Sequence, residues 1–249
     1  MFFTEINEIK IGRFKKLSEK SNIFHCTSTR RGGVSSGVYS SLNIGFNTGD
    51  NDKNVHENRR ILLNTLGIDE RNLAVPEQIH SANIEVIEKG GFYDKCDGLI
   101  TDRKGVVLSI QTADCIPLFL FDHKKIIVGL IHAGWRGIQK GIVIKSVDIF
   151  TGKFGSNPKH IQCFIGPSIR KCCYQVKENV ASHFSNAYIT KGYLDLVSVV
   201  KEQLFSKKIL KGNVFDSKLC TSCYPEFFYS YRRDNGKTGR MVSLITITG

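Results

Sequence analysis

No stretch of the sequence stays apolar for the roughly 18 to 20 residues that would span a membrane, which argues against a transmembrane helix. Internal repeats, low-complexity tracts and Pro/Ser-rich linkers are also missing, so nothing marks a boundary and one domain over residues 1–249 is expected. The beginning, "MFFTEINEIKIGRFKKL", does not read as a signal peptide, because Glu5 and Glu8 interrupt what should be a continuous apolar segment. Eight cysteines are too few for a disulfide scaffold at this length. Without a secretory signal they read as reduced thiols in a cytoplasmic protein, available as ligands or nucleophiles. Acidic residues are in deficit, 23 against 35 Lys and Arg, and the resulting net charge of +12 favours anionic partners such as phosphate or a nucleotide. The basic residues form no concentrated block and no nucleic-acid motif, which leaves nucleic acid a minority reading.

What is present is a succession of short apolar segments with interspersed helical patterns. "NIFHCTSTR" reads as a strand and is followed by a loop dense in Gly, Ser and Asn, "RGGVSSGVYSSLNIGFNTGD". Asp52 is placed as the N-cap of a helix running to about Leu66, with Val55, Arg59, Leu62, Leu63 and Leu66 at helical spacing and Gly67 ending it. "NIEVIE", "VVLSIQT", "PLFLFD", "KIIVGLIHA", "HIQCFIG" and "MVSLITIT" read as strands. Helices are expected over residues 138–154, with Gly155 as the stop, and near 177–184 and 195–208. The pattern predicts an α+β fold, a single domain of mixed β-sheets flanked by helices.

Three segments place a metal-capable side chain at the end of an apolar run: "PEQIHSAN" with His80, "QTADCIPLF" with Cys115 and "GLIHAGWRG" with His132. The separations, 35 and 17 residues, are too wide for a zinc finger but suit strand ends that converge in space. Two imidazoles and a thiolate form a known catalytic zinc set that keeps the fourth position for water or substrate, where the metal lowers the pKa of bound water and polarises a leaving group. Each residue taken alone also reads as ordinary packing. Trp135 reads either as core packing or as a wall for a planar ligand. Arg136, expected to be buried beside His132, should clamp an anion or pair with a carboxylate such as Asp114. Arg30 and Arg31 in "STRRGGVSSG" offer a flexible loop that could hold phosphate or simply be solvated. "LCTSC" has CxxC spacing at Cys220 and Cys223. The other close pair, Cys172 and Cys173, is adjacent in sequence and does not supply a normal second zinc half. His25, His56, His123, His160 and His183 read as surface or satisfied residues.

The blocks "TRRGGVSSG", "SLNIGFNTGD", "QIHSA", "CDGLIT", "TADCIPL", "HAGWRG", "IGPSIRKCCYQV" and "FFYSYRRDNGKTGR" resemble, in order and over nearly the whole chain, the laccase-domain family. Its members are variously called polyphenol oxidases, zinc-dependent purine nucleoside phosphorylases with adenosine deaminase activity, and peptidoglycan editing factors. The resemblance implies stacked mixed sheets covered by helices, zinc held by His80, Cys115 and His132, and a pocket that includes Arg30 and Arg136. It implies purine nucleosides and phosphate as substrates, with the two arginines gripping phosphate and Trp135 against the base. Deamination needs a carboxyl group to shuttle protons, and Asp114 is the candidate. One departure is Gln175, where the family pattern leads us to expect Glu. The alternatives are copper-dependent phenol oxidation, amide hydrolysis in a cell-wall precursor, and a non-catalytic nucleic-acid-binding protein. Copper ranks low because one mononuclear set lacks the many histidines of a multicopper relay.

Overall fold

The strand Ile116–Asp122 shows how the sequence builds its layers. Successive side chains of a strand point to opposite faces, and here both faces are apolar, so every residue of the strand is buried. Leu118 and Leu120 join one core, while Phe119 and Phe121 join another. The neighbouring strand Ile127–Ala133 divides in the same way, with Ile127 and Ile131 on one side and Val128 and Leu130 on the other.

A computed structural model describes all residues, 1–249, and contains two large sheets. The seven-stranded sheet runs Phe2–Ile6, Ile9–Arg13, Ile23–Ser28, Met241–Ile247, Val107–Thr112, Leu73–Pro76, Gly91–Tyr93. The six-stranded sheet runs Val214–Asp216, Ile161–Ile165, Ile116–Asp122, Ile127–Ala133, Gly98–Thr101, Ile84–Val86. Both mix parallel and antiparallel pairs. Phe119, Phe121, Val128 and Phe164 of one sheet meet Leu108, Ile110 and Ile245 of the other in the core between them. The far face of the six-stranded sheet is covered by helices Ile142–Gly152 and Leu196–Ser206, through Val143, Val147, Phe150, Val200 and Leu204. The far face of the seven-stranded sheet is covered by helix Asp52–Leu66, whose Leu62 packs with Ile9, Ile11, Val242 and Leu244. The result is the expected α+β arrangement of stacked mixed sheets between helices.

The helix boundaries differ from expectation in informative ways. Asn51, not Asp52, caps the first long helix, its side chain accepting the Lys53 N–H, whereas Gly67 does end it in a left-handed conformation (φ 64°). The single helix expected over residues 138–154 is two. A short helix, Trp135–Gln139, begins directly where the strand Ile127–Ala133 ends, and Gly141 at φ 80° breaks the path before Ile142–Gly152. The helix expected near 177–184 is one turn, Glu178–Ala181. The helix expected over 195–208 runs Leu196–Ser206, and Asp195 caps it by accepting the Ser198 N–H.

Candidate metal centre and cleft

His80, Cys115 and His132 meet, their ligating atoms all lying within 4.8 Å of one another. His132 occupies the penultimate position of its strand and is 4% exposed, while Cys115 directly precedes the strand Ile116–Asp122. Register places His132 opposite Pro117 and Ala133 opposite Ile116, so this antiparallel pair brings the thiol and the imidazole to the same end of the sheet. His80 arrives from a loop and holds a left-handed backbone, φ 56°, which is uncommon for a residue with a Cβ. Its ring centroid lies 4.8 Å from that of His132.

Asp97, which the sequence did not single out, holds this geometry. Its carboxylate is fully buried and accepts His132 Nδ1 at 2.7 Å, the main-chain N–H groups of Ile79, His80 and Ser81 at 3.2, 3.0 and 2.6 Å, and the Ser81 hydroxyl at 2.7 Å. One carboxylate therefore orients one ligand and pins the loop that carries another, leaving His132 Nε2 to face Cys115 and His80. Burial pushes Asp97 up, but these donors outweigh it and bring it down to about 2. Gln78 fastens the same loop by accepting the Gln111 N–H at 2.7 Å and donating to the Gln111 carbonyl at 2.8 Å.

The electrostatics suit a cation. Burial raises the Cys115 thiol, yet His132 and His80 reverse this and lower it to about 6. Burial lowers His132, yet the Cys115 thiolate and the Asp97 carboxylate carry it up to about 9. The pair thus favours a thiolate facing an imidazolium, and a divalent ion held by His80, Cys115 and His132 would take the place of that proton. Gly134 completes the fit. A Cβ there would sit 3.0 Å from His80 Nδ1 and 3.1 Å from Cys115 Sγ, so the chain turns into its next helix beside the ligands without crowding them.

These three side chains lie in a cleft of about 610 Å³ whose walls include Gln78, Gln111, Trp135, Arg136, Tyr174, Tyr231, Arg232 and Arg240. Arg136 is exposed, not buried as expected, and it pairs with no carboxylate, Asp114 included. Its guanidinium lies 4.4 Å from the Trp135 ring and makes no hydrogen bond within the protein. The reason is that it lies in the first turn of the short helix after the strand, on the side facing the cleft rather than the core. Trp135 is half-buried, stacked on His183 at 5.6 Å and packed against the core, so it serves as wall and packing together. Arg232 and Arg240 were not foreseen; they stand near Tyr174 and Tyr231, at 5.2 and 5.9 Å from ring centroids.

Two expected positions fall differently. Arg30 does not line this cleft: its guanidinium donates to the Ser40, Pro225 and Val38 carbonyls and lies over the Tyr229 ring, fixing the Gly/Ser-rich loop. Asp114 does line it, at φ 95°, with both carboxylate oxygens engaged, by the Thr221 hydroxyl at 2.6 Å and the Arg232 N–H at 2.7 Å. The side chain of Gln175 is exposed, and it is the Gln175 carbonyl that receives the Arg232 guanidinium, so the departure from Glu leaves that contact intact. A second cluster also forms, contrary to the sequence reading. Cys172, Cys173, Cys220 and Cys223 bring their sulfurs within 4.8 Å of one another. The adjacent pair can share a site because residues 170–174 are a turn, with Cys173 and Tyr174 N–H both bonded to the Arg170 carbonyl, and so do not alternate as in a strand.

Residues 24–248 match the family described as multi-copper polyphenol oxidoreductase laccase. The chain belongs to that family. It is 36% identical over 239 residues to the purine nucleoside phosphorylase YlmD of Bacillus subtilis, covering 88% of this chain and 86% of the relative. It is 31% identical over 236 residues to the adenosine deaminase RL5 from an unknown prokaryotic organism, covering 86% and 90%. The crystal structure of YlmD from Geobacillus stearothermophilus superposes with a TM-score of 0.90 at 30% identity, over 99% of this chain and 98% of that one. No helix is long and apolar enough to cross a membrane.

Proposed function

We propose that this chain is a cytoplasmic, zinc-dependent purine nucleoside phosphorylase, acting on adenosine, inosine, guanosine and methylthioadenosine, that also deaminates adenosine. The observation that carries the reading is the convergence of a His₂Cys set with an unpaired Arg136 in one cleft, and the names of the relatives agree with it. His80, Cys115 and His132 would hold the ion, which when bound supplies Lewis-acid polarisation beside the reacting atoms. Asp97 keeps His132 in the tautomer whose Nε2 is free. Phosphorolysis joins phosphate to the ribose C1′ while the departing purine takes up negative charge, so anion donors must stand beside the sugar. Arg136 meets that need because no internal acceptor occupies its guanidinium; Arg232 and Arg240 add positive charge to the same wall. Trp135, Tyr174 and Tyr231 supply flat apolar area for a purine. Asp114 acts by anchoring the Arg232 main chain to Thr221 next to Cys115, and as the proton carrier for deamination it would first release one of these bonds.

The copper reading finds less support. Of the seven histidines, two lie in a group able to hold a metal, and the second such group contains cysteine alone. The test is product analysis from adenosine and inosine, with and without phosphate, on wild type and Arg136→Ala. Phosphate-dependent base release that falls about 10²-fold or more in the variant, with KM for phosphate raised, is expected. Phenol oxidation by copper-loaded protein without nucleoside turnover would reject the reading.

A further inference from the structure

A second concentration of soft ligands lies outside the cleft floor. Cys172 and Cys173 come from the turn after the strand Ile161–Ile165, and Cys220 and Cys223 from the turn after the strand Val214–Asp216. Those two strands pair in parallel, and a further bridge joins Ser168 to Cys220, so the sheet itself delivers both turns to one place. The Cys173 and Cys223 sulfurs are 3.3 Å apart and those of Cys172 and Cys223 3.6 Å apart, with all four within 4.8 Å. Thiolates each about 2.3 Å from one zinc stand roughly 3.8 Å from one another, so the cluster already has nearly the dimensions of a tetrahedral tetrathiolate. The sulfur separations are far beyond a disulfide bond of about 2.05 Å.

We propose that Cys172, Cys173, Cys220 and Cys223 hold a structural zinc ion that clasps these two turns together. Four thiolates held this close repel one another, so without a cation the cluster resists ionising as a whole. A divalent cation removes that obstacle, since ligation and deprotonation occur together. The main chain is prepared for it. Arg170 donates to the Leu219 carbonyl and Arg233 to the Thr221 and Ser222 carbonyls, fixing the CxxC turn from both sides, while Asp216 and Asp234 pair with the two guanidinium groups and hold them in place. The clasp borders the cleft through sequence neighbours of its ligands. Tyr174, next to Cys173, forms part of the wall, and Thr221, next to Cys220, holds the Asp114 carboxylate. All four sulfurs are consumed and no position is left for substrate, which makes this ion a fastener rather than a second reaction centre.

The experiment is zinc analysis of the purified full-length chain, kept reduced, alongside His132→Ala and the double variant Cys220→Ser/Cys223→Ser. Two zinc ions per wild-type chain and one in each variant are expected. One zinc in the wild type that disappears in His132→Ala, or a count unchanged by the double serine variant, overturns the proposal, as does iron in place of the second zinc. Because the His132 variant reads the cleft and the serine variant reads the turns, failure of the clasp and failure of the proposed cleft zinc give different counts. Should the serine variant not fold, the wild type decides. Cys172 and Cys223 are exposed in the fold, so once no metal holds them N-ethylmaleimide can reach both. Protection of both until a chelator is added, read by peptide mass, supports the zinc; prompt labelling without chelator, or a disulfide among the four, refutes it.

Discussion

His25 and His132 occupy strands of the two facing sheets, are 0% and 4% exposed, and carry opposite electrical characters. His25 Nε2 accepts the Phe14 N–H at 2.8 Å, and the ring lies among Phe14 and Phe119 with its Nδ1 unpartnered. Burial, helped by the charge of Arg13, pushes it down to about 3, so it stays neutral. At His132 burial acts in the same direction, but a thiolate and a carboxylate reverse it, to about 9. Depth therefore does not distinguish a structural histidine from a ligand; the partner on the second ring nitrogen does. A main-chain donor builds an acceptor into the core, whereas Asp97 turns the same imidazole into one corner of a cation site.

The strongest way to break this contrast is His132→Ala. If His132 were another His25, truncation would lower stability and leave turnover per folded molecule unchanged. We expect instead loss of the cleft ion and a fall in kcat/KM for phosphorolysis of about 10³-fold or more, the several kcal/mol of charge stabilisation that a metal supplies. Metal content and kinetics measured on the same preparation check this. Asp97→Asn sharpens the contrast at the partner itself. An amide is close in size but presents an NH₂ where an acceptor for His132 or for the Ile79–Ser81 loop is required. The expected result is a metal affinity 10- to 100-fold weaker, measured by competition with a chromogenic chelator, since the ligands remain but their orientation does not. Unchanged affinity would show that the loop and ring are positioned without the carboxylate.

How far the sequence announced all this depends on what kind of element carries each residue. Cys115 and His132 stood out because each adjoins an apolar run that folds as a fully buried strand, and a polar side chain there is an anomaly visible in one dimension. Asp97 directly precedes a buried strand too, but its role is to receive N–H groups from residues 79–81, and the turn that aims them has no periodicity to read. Arg30 lies away from the cleft for a related reason. A guanidinium in a Gly-rich loop suits phosphate equally with main-chain carbonyls, and the path of the loop chose the carbonyls. The four cysteines were dismissed on linear spacing, which fails when two turns are brought together by parallel strands. The strands were readable as short, continuously apolar runs, whereas the break at Gly141 was not, because the apolar periodicity continues across it.

The smallest expected effect tests the other half of the contrast. The His25 value is depressed to about 3 while an unfolded chain keeps the ordinary 6.5, so below pH 6.5 the unfolded state binds a proton that the folded state refuses. Stability from His25 is thus complete above pH 6.5 and declines as the solution is acidified, down to about pH 3 where the folded state also accepts the proton. Between pH 6.5 and pH 5 the loss is about 2 kcal/mol, because each pH unit of refused protonation costs about 1.36 kcal/mol. In the metal-free protein His132 moves the opposite way, since a group raised to about 9 keeps its full contribution below 6.5. Urea midpoints at pH 7 and pH 5 for wild type and His25→Gln separate the two: the glutamine variant, with nothing to protonate at that site, should lose about 2 kcal/mol less on acidification than wild type. Equal acid sensitivity would mean that His25 takes up its proton inside the fold, and burial among phenyl rings would then not be what sets it apart from His132.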